Sequence, residues 1–158
     1  MLVKDVMNER VATCRPHTNL AEATALMWEH DCGSLPVITD NETLAGIVTD
    51  RDICIALGTR NARASDLTVN DLIRNHTLTC TSSDDVQAAL QVMRDGKVRR
   101  LPVVDAQGRL AGIVSMDDLV LSAEQDGKGD STVAYGDVVA TLQAIYNRRN
   151  LRDWPIAA

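Results

Sequence analysis

The sequence LAGIVTDRD at residues 44–52 recurs as LAGIVSMDD at residues 110–118, 66 positions further along the chain. Each copy opens with a short apolar run, typical of a buried strand, and closes with a Thr/Ser-x-x-Asp pattern, typical of a first helical turn. The same shift aligns residues 1–58 with residues 67–124 without a gap and gives 15 identities. The chain is therefore predicted to contain two copies of one supersecondary unit, related as a pseudo-twofold pair.

Each copy is predicted to run strand, helix, strand, strand, helix, which makes a mixed α/β (α+β) fold. In the first copy Asn19 stands three residues before Glu22, the spacing of a helix N-cap and its capping box. Leu20, Ala23 and Met27 follow at helical spacing. The predicted strands, one copy after the other, are residues 11–14 and 78–80, residues 35–39 and 101–105, and residues 44–48 and 110–114. The closing helices are predicted to start at Thr49 and Ser115.

The chain divides by composition into four parts. Residues 1–58 form the first repeat, residues 59–66 a polar linker and residues 67–124 the second repeat. Residues 125–158 combine a Gly- and Asp-containing tether with an apolar pattern at helical spacing, which predicts a helix over residues 135–147. The apolar stripe of that helix is expected to be exposed on a single chain and so to favour a homodimer.

Composition excludes several classes of function. The net charge of −6 argues against binding to a nucleic acid backbone, which needs clustered Lys and Arg. No apolar run approaches the ~20 residues of a membrane span, and residues 1–10 lack the apolar stretch of a signal peptide, so a cytoplasmic protein is expected. The histidines and cysteines lack metal-ligand spacing, so no metal is expected. Neither a phosphate-binding glycine loop nor a nucleophile elbow occurs, so no enzyme activity is predicted.

Leu35-Pro36-Val37 followed by residues 46–52, and residues 98–103 followed by residues 112–118, resemble the cystathionine beta-synthase (CBS) domain family. The resemblance covers about residues 1–124. It implies a tandem regulatory module that binds an adenine nucleotide such as AMP, ATP or NAD in a cleft between the repeats and often forms a homodimer. Since no effector domain accompanies the pair, we expect it to act on an unknown protein partner in trans or through its own oligomer.

By this resemblance Asp52 and Asp118 are expected to bind the ribose hydroxyls, and Thr49 and Ser115 the phosphate. A helix start suits a phosphate, because its backbone N–H groups are free and carry partial positive charge. The alternative is purely structural. Thr-x-x-Asp and Ser-x-x-Asp are also the spacing of a capping box, in which the two side chains satisfy the backbone of the first turn. Both interpretations hold together when no ligand is bound.

Arg51, Arg99 and Arg100 are the candidate phosphate-binding cations. By the resemblance, the residue that precedes Leu-Pro-Val often touches phosphate, which favours Arg100. The first copy has Gly33 and Ser34 where the second has the two arginines, so two chemically unequal sites are expected. The alternative for any of these arginines is a solvated side chain or an ion pair, with Asp31 or Asp95 as the partners considered.

The adenine pocket is expected to be lined by the ends of the first strands and by the two prolines of the repeated Leu-Pro-Val motif. The residues concerned are Thr13, Cys14, Thr79, Cys80, Pro36 and Pro102. Ordinary core packing is the alternative for them. Two other functions stay open from the residues alone, namely a ligand-free interaction or dimerisation module, and a redox protein or enzyme that uses Cys14 or Cys80.

Overall fold

A computed structural model describes residues 1–73, 76–124 and 133–147. Within these residues the chain forms five α-helices, two sheets of two strands each and three short 3-10 turns, which confirms the mixed α/β class. In chain order the elements are α1 (Leu20–Glu29), β1 (Ser34–Ile38), β2 (Leu44–Thr49), α2 (Asp50–Arg60), α3 (Val86–Gly96), β3 (Arg100–Val104), β4 (Leu110–Ser115), α4 (Met116–Leu121) and α5 (Tyr135–Tyr146).

Helix α1 begins where the sequence predicts. The Asn19 side chain accepts a hydrogen bond from the Glu22 backbone N–H at 2.9 Å, which satisfies one of the unpaired donors of the first turn. Leu20, Ala23 and Met27 are buried, as their spacing predicts. Helix α3 repeats the arrangement, with Asp85 as its N-cap and four buried apolar residues.

The prediction of strands at residues 11–14 and 78–80 is wrong. Each of these segments makes only a single parallel bridge, from Cys14 to Val37 and from Cys80 to Val103. Cys14 donates its N–H to the Pro36 carbonyl, and Ile38 donates to the Cys14 carbonyl. To extend this pairing toward residue 11, a parallel ladder would need a hydrogen bond from the backbone N–H of residue 36, and proline has no N–H. The second copy stops for the same reason at Pro102.

Strands β1 and β2 pair antiparallel, with Ser34 opposite Thr49 and Val37 opposite Gly46, and the register shifts after Val37. Strands β3 and β4 form the second sheet in the same order. The observed bounds of these four strands differ from the predicted ones by at most one residue. Both turns from strand to helix, at Thr49 and at Ser115, lie where the repeated motif predicts them.

The chain divides into two compact units that do not follow the order of the repeats. Residues 8–81 and 102–113 make one unit, which we call the β1–β2 unit. Its core is built on Leu20, Leu35 and Val37. Residues 1–7, 82–101 and 114–158 make the other unit, which we call the α3–α5 unit. The turn and strand segment 102–113 of the second repeat therefore belongs with residues of the first.

Helix α5 confirms the predicted C-terminal helix and is one residue shorter than expected. The tether predicted at residues 125–132 lies outside the described residues. The expectation of an exposed apolar stripe is wrong in part, because α5 packs against α3 and α4 and buries Val138, Thr141 and Ile145 there. Only its outer side, with Val139 and Tyr146, stays exposed.

Candidate functional site

Thr49 and Asp52 form a complete capping box at the start of α2. The Asp52 backbone N–H donates to Thr49 Oγ1 at 3.1 Å, and the Thr49 backbone N–H donates to Asp52 Oδ2 at 3.1 Å. The Thr49 hydroxyl also donates to Asp52 Oδ2, at 2.6 Å. The capping-box interpretation of this motif is therefore confirmed.

The capping box leaves part of the carboxylate unused. All the hydrogen bonds that Asp52 accepts from described residues go to Oδ2, so Oδ1 is available as an acceptor. The side chain is half-buried rather than enclosed. A ligand hydroxyl can therefore bind the carboxylate without breaking the cap.

Ser115 and Asp118 repeat this geometry in the α3–α5 unit. The Ser115 hydroxyl donates to Asp118 Oδ2 at 2.6 Å, its backbone N–H donates to the same oxygen at 2.8 Å, and the Asp118 N–H donates back to Ser115 Oγ at 3.2 Å. Asp118 Oδ1 likewise has no hydrogen bond from any residue that the structure describes. The two copies thus present matched carboxylates, each held by its own helix cap.

The three candidate arginines have different surroundings. Arg99 forms an ion pair with Asp117, with 3.7 Å between Nη2 and Oδ1, so the alternative partners Asp31 and Asp95 are wrong. Both side chains of this pair are well exposed, which makes its contribution to stability small. Arg51 is exposed. Arg100 is half-buried, and its guanidinium has no hydrogen-bond or ion-pair partner among residues 1–73, 76–124 and 133–147.

The six residues predicted to line an adenine pocket all lie in the β1–β2 unit. Cys14, Cys80, Pro36 and Pro102 are buried, whereas Thr13 and Thr79 are half-buried. Each cysteine N–H donates to the carbonyl of the proline in the same copy, at 3.1 and 3.2 Å. Core packing thus accounts for the four buried side chains, and the threonines are the accessible members of the set.

A groove of about 430 Å³ lies beside Thr13 and Cys14 and is bordered by Arg15, Glu22 and Glu29. Burial raises the pKa of the Cys14 thiol to about 11. At neutral pH this sulfur is therefore protonated and a poor nucleophile. This observation argues against a redox or catalytic role for Cys14.

The structure divides the predicted site residues between the two compact units. The β1–β2 unit holds nine of them, namely Thr13, Cys14, Pro36, Thr49, Arg51, Asp52, Thr79, Cys80 and Pro102. The α3–α5 unit holds Arg99, Arg100, Ser115 and Asp118.

One further cap of the same kind was missed. Thr68 and Asp71 also stand three residues apart, and the Thr68 backbone N–H and hydroxyl donate to Asp71 Oδ2 at 2.8 and 2.9 Å. These two bonds, the backbone one first, lower the pKa of the Asp71 carboxyl. The Thr-x-x-Asp spacing was visible in the sequence, but no strand-to-helix pattern surrounds it. At the equivalent position of the first copy, Asp5 accepts from the Leu2 N–H.

Among the described residues, no group of three or more His, Cys, Asp or Glu side chains has the geometry to hold a metal ion. The helices in the described ranges are also too short or too polar to cross a membrane.

Comparison with known proteins places this repeat in a family. The profile of the CBS domain matches residues 3–59 and again residues 69–124. The chain therefore belongs to the CBS domain family and carries two copies of the domain. CBS-domain pairs are generally regulatory modules rather than catalytic ones.

Among curated proteins, the chain is similar to the CBS domain-containing protein YhcV of Bacillus subtilis. The two are 32% identical over 139 residues, which is 86% of this chain and 97% of YhcV. The chain is also similar to hypoxic response protein 1 of Mycobacterium tuberculosis, at 35% identity over 116 residues, 73% of this chain and 80% of that protein.

Solved structures show the same fold. Hypoxic Response Protein I with two coordinated zinc ions aligns with a TM-score of 0.70 at 33% identity, over 77% of this chain and 98% of the other. The CBS domain pair of protein MJ0100, in complex with 5′-methylthioadenosine and S-adenosyl-L-methionine, gives 0.69 at 26% identity over the same shares. CBSX2 in complex with AMP gives 0.66 at 33% identity, over 76% of this chain and 93% of that chain.

Proposed function

We propose that this protein is a regulatory CBS-pair module that senses an adenosine-containing ligand, with AMP, ATP and NAD as the leading candidates. The observation that carries the proposal is the pair of capping carboxylates, Asp52 and Asp118. Each keeps one oxygen free while its other oxygen holds a helix start. A carboxylate with a free acceptor is what a ribose hydroxyl needs, as in dinucleotide-binding folds.

Two structural neighbours support the chemical class of the ligand. The CBS pair of MJ0100 was solved with 5′-methylthioadenosine and S-adenosyl-L-methionine, and CBSX2 was solved with AMP. These three ligands share an adenosine group and differ in what is attached at the 5′ position. We therefore propose that the adenosine part is recognised in the same way here, and that the 5′ substituent decides which ligand binds best.

We propose the following roles for the residues of each unit. In the β1–β2 unit, Asp52 accepts from ribose hydroxyls, Thr49 faces the 5′ group and Arg51 balances phosphate charge. In the same unit Thr13 and Thr79, together with backbone groups at Cys14, Cys80, Pro36 and Pro102, contact the adenine. In the α3–α5 unit, Asp118 accepts from ribose hydroxyls and Ser115 faces the 5′ group, while Arg100, with Arg99 as a further cation, balances phosphate charge.

Calorimetric titration with AMP, ATP, NAD, S-adenosylmethionine and 5′-methylthioadenosine tests this function. The decisive variants are the single substitutions Asp52→Asn and Asp118→Asn. An Asn carbonyl oxygen can accept the cap bonds in place of Oδ2, but the amide then presents a donor where Oδ1 was an acceptor. We expect a normal melting temperature and weakened binding of at least one ligand. Unchanged binding in both variants would remove these carboxylates from the site.

We further propose that the protein works as a homodimer in the cytoplasm and regulates a partner protein in trans. The family resemblance supports the dimer, whereas α5 buries part of its apolar stripe within the chain. Light scattering on the purified chain at micromolar concentration checks the assembly. A monomeric mass would contradict it.

A ligand-free interaction module is the second candidate. The observation in its favour is a large exposed aromatic side chain, Trp28, which is 87% exposed. A thermal-shift screen separates the two candidates. A ligand present at 100 times its dissociation constant adds about 2.7 kcal/mol to the free energy of unfolding, whereas a ligand-free module gives no shift with any adenosine compound.

A further inference from the structure

Helix α5 is an addition to the two CBS domains, because the family match ends at residue 124. One side of the helix, with Val138, Thr141 and Ile145, is buried where α5 packs against α3 and α4. Arg94 of α3 fastens this side, since its Nε donates to Thr141 Oγ1 at 2.8 Å. These contacts hold α5 in place and leave the rest of its surface free for another molecule.

A second apolar line runs along α5 outside this contact. Tyr135, Val139, Leu142 and Tyr146 follow one another at intervals of four, three and four residues, so they form one stripe along the helix. Tyr135 and Val139 are each 51% exposed and Tyr146 is 61% exposed, while Leu142 is half-buried. We call these four residues the outer stripe. It is about 16 Å long.

The outer stripe carries no charge, and neither do the α5 residues around it. Of the twelve residues of α5 only Asp137 is charged, and its Oδ2 accepts a hydrogen bond from Gln87 Nε2 of α3 at 2.8 Å. In a chain with 24% charged residues, the solvated side of a helix is expected to carry several of them. An exposed side that is apolar and uncharged instead indicates a surface that another molecule covers.

The neighbouring helix α4 extends this apolar surface. Eight large apolar side chains are exposed among the described residues, and five of them belong to α4 and α5. Helix α4, which contacts α5, contributes Val120 and Leu121 to this set. A stable interface needs about 800 Å² from each partner, more than the outer stripe supplies by itself. We therefore expect α4 to take part in the same contact.

We propose that the outer stripe binds the outer stripe of a second copy of this chain, with the two α5 helices antiparallel. In that arrangement Tyr135 of one copy lies opposite Tyr146 of the other, and Val139 lies opposite Leu142, because each pair is equally far from the middle of the helix. The order of residue types, aromatic, aliphatic, aliphatic, aromatic, is therefore the same in both directions. A twofold interface requires this property, since residue i meets residue j and j meets i.

The net charge also favours a second copy as the occupant. Two chains that each carry a charge of −6 repel each other, so their contact area has to be free of acidic side chains. The outer stripe meets this condition. A basic partner would be recognised by acidic side chains instead, and the stripe has none. The tyrosines at its two ends suit the margin of such an interface, because the ring packs while the hydroxyl reaches water.

This inference rests on the proposed homodimer and names the surface that forms it. The key variant is Val139→Glu in the full chain. Glu is a good helix former and Val139 is half exposed, so the single chain should keep its fold. In the dimer the change places two carboxylates close to the twofold axis. Ile55→Glu is the matched control, because Ile55 is 50% exposed on α2, in the β1–β2 unit.

Sedimentation equilibrium over a dilution series measures the dissociation constant of the dimer, and circular dichroism checks the fold of each variant. We expect the wild type to sediment as a dimer. Val139→Glu should raise the dissociation constant about 100-fold or more, so that a 17.2 kDa monomer dominates at the same concentration. Tyr146→Ala, which adds no charge, should raise it about ten-fold or more. Ile55→Glu should leave it close to the wild-type value.

Three results would overturn the proposal. A dimer that both Val139→Glu and Tyr146→Ala leave intact would remove α5 from the interface. A dimer that only Ile55→Glu breaks would assign the contact to the first repeat and would leave the proposed homodimer standing. A monomeric wild type would overturn this inference and the proposed homodimer together. Calorimetry with AMP on Val139→Glu tests the sensing function separately, since none of the residues proposed to bind the nucleotide is changed.

Discussion

Thr49 and Asp52 hydrogen-bond to each other in both directions, with the Asp52 N–H on the Thr49 hydroxyl oxygen and the Thr49 hydroxyl on Asp52 Oδ2. The same carboxylate therefore stabilises the start of α2 and presents a free oxygen to a ligand. A substitution at this position has two effects that must be measured separately, one on folding and one on binding.

We predict that Asp52→Ala and Asp118→Ala lower both the free energy of unfolding and the affinity for the ligand. Loss of the cap should reduce the free energy of unfolding by about 0.5–2 kcal/mol. Each lost hydrogen bond to ribose should weaken binding by about 0.5–1.5 kcal/mol. Urea denaturation measures the first effect and calorimetry the second. If both variants are destabilised yet bind as the wild type does, the carboxylates are caps and nothing more.

The two ligand sites should be unequal, with Arg100 as the cause. Its guanidinium is half-buried and unpaired among the described residues, and the first copy has Ser34 at this position. A charge-assisted bond to phosphate contributes about 1.5–3 kcal/mol, enough for about ten-fold or more between sites. Calorimetry with AMP should show one tight and one weak site in the wild type, and Arg100→Ala should weaken the tight one.

Arg109→Ala is the matched control for the Arg100 prediction. It removes the same charge from a guanidinium that Asp105 already holds, with 2.8 Å between Nε and Oδ2. Its affinity for AMP should stay close to that of the wild type. Two equal sites in the wild type would contradict the prediction outright.

Thr141→Val should loosen the docking of α5. The Thr141 hydroxyl is fully buried, receives the Arg94 Nε bond and donates to the Asp137 carbonyl. Valine keeps the shape but leaves the guanidinium without one acceptor, at a cost of about 1–3 kcal/mol. Chemical denaturation followed by circular dichroism measures the change. Thr59→Val removes a comparable helix-backbone bond from an exposed hydroxyl and should change stability by less than about 0.5 kcal/mol.

The four cysteines should differ in their reaction with iodoacetamide at neutral pH. Cys54 is exposed and should be alkylated first, whereas Cys14 is buried and its raised pKa keeps the thiol protonated. Mass spectrometry of peptides from the native protein measures the order. Urea should make Cys14 react like the others, because unfolding removes the burial that raises its pKa. Rapid alkylation of Cys14 in the native protein would contradict this prediction and would support a redox role for this thiol.

Much of the fold could be predicted because its signals are local. The caps at Asn19, Thr49 and Ser115 depend on residues three positions apart, so spacing in the sequence is enough to place them. The bounds of β1–β4 and of α5 came out within one residue for the same reason, whereas the two strands predicted before them, at residues 11–14 and 78–80, did not form. Of the candidate site, the sequence placed both capping carboxylates, but it could not tell that one oxygen of each stays free.

The sequence by itself determined the repeat, its matched helix caps and the type of each main element. Tertiary structure alone decided which segments share a unit, so that residues 102–113 lie with the first repeat while residues 1–7 lie with the second. It also decided that Arg99 pairs with Asp117, and that α5 packs against α3 and α4. These features depend on contacts between residues far apart in the chain. Such contacts are set by side-chain packing and by available hydrogen-bond partners, neither of which leaves a periodic signal in the sequence.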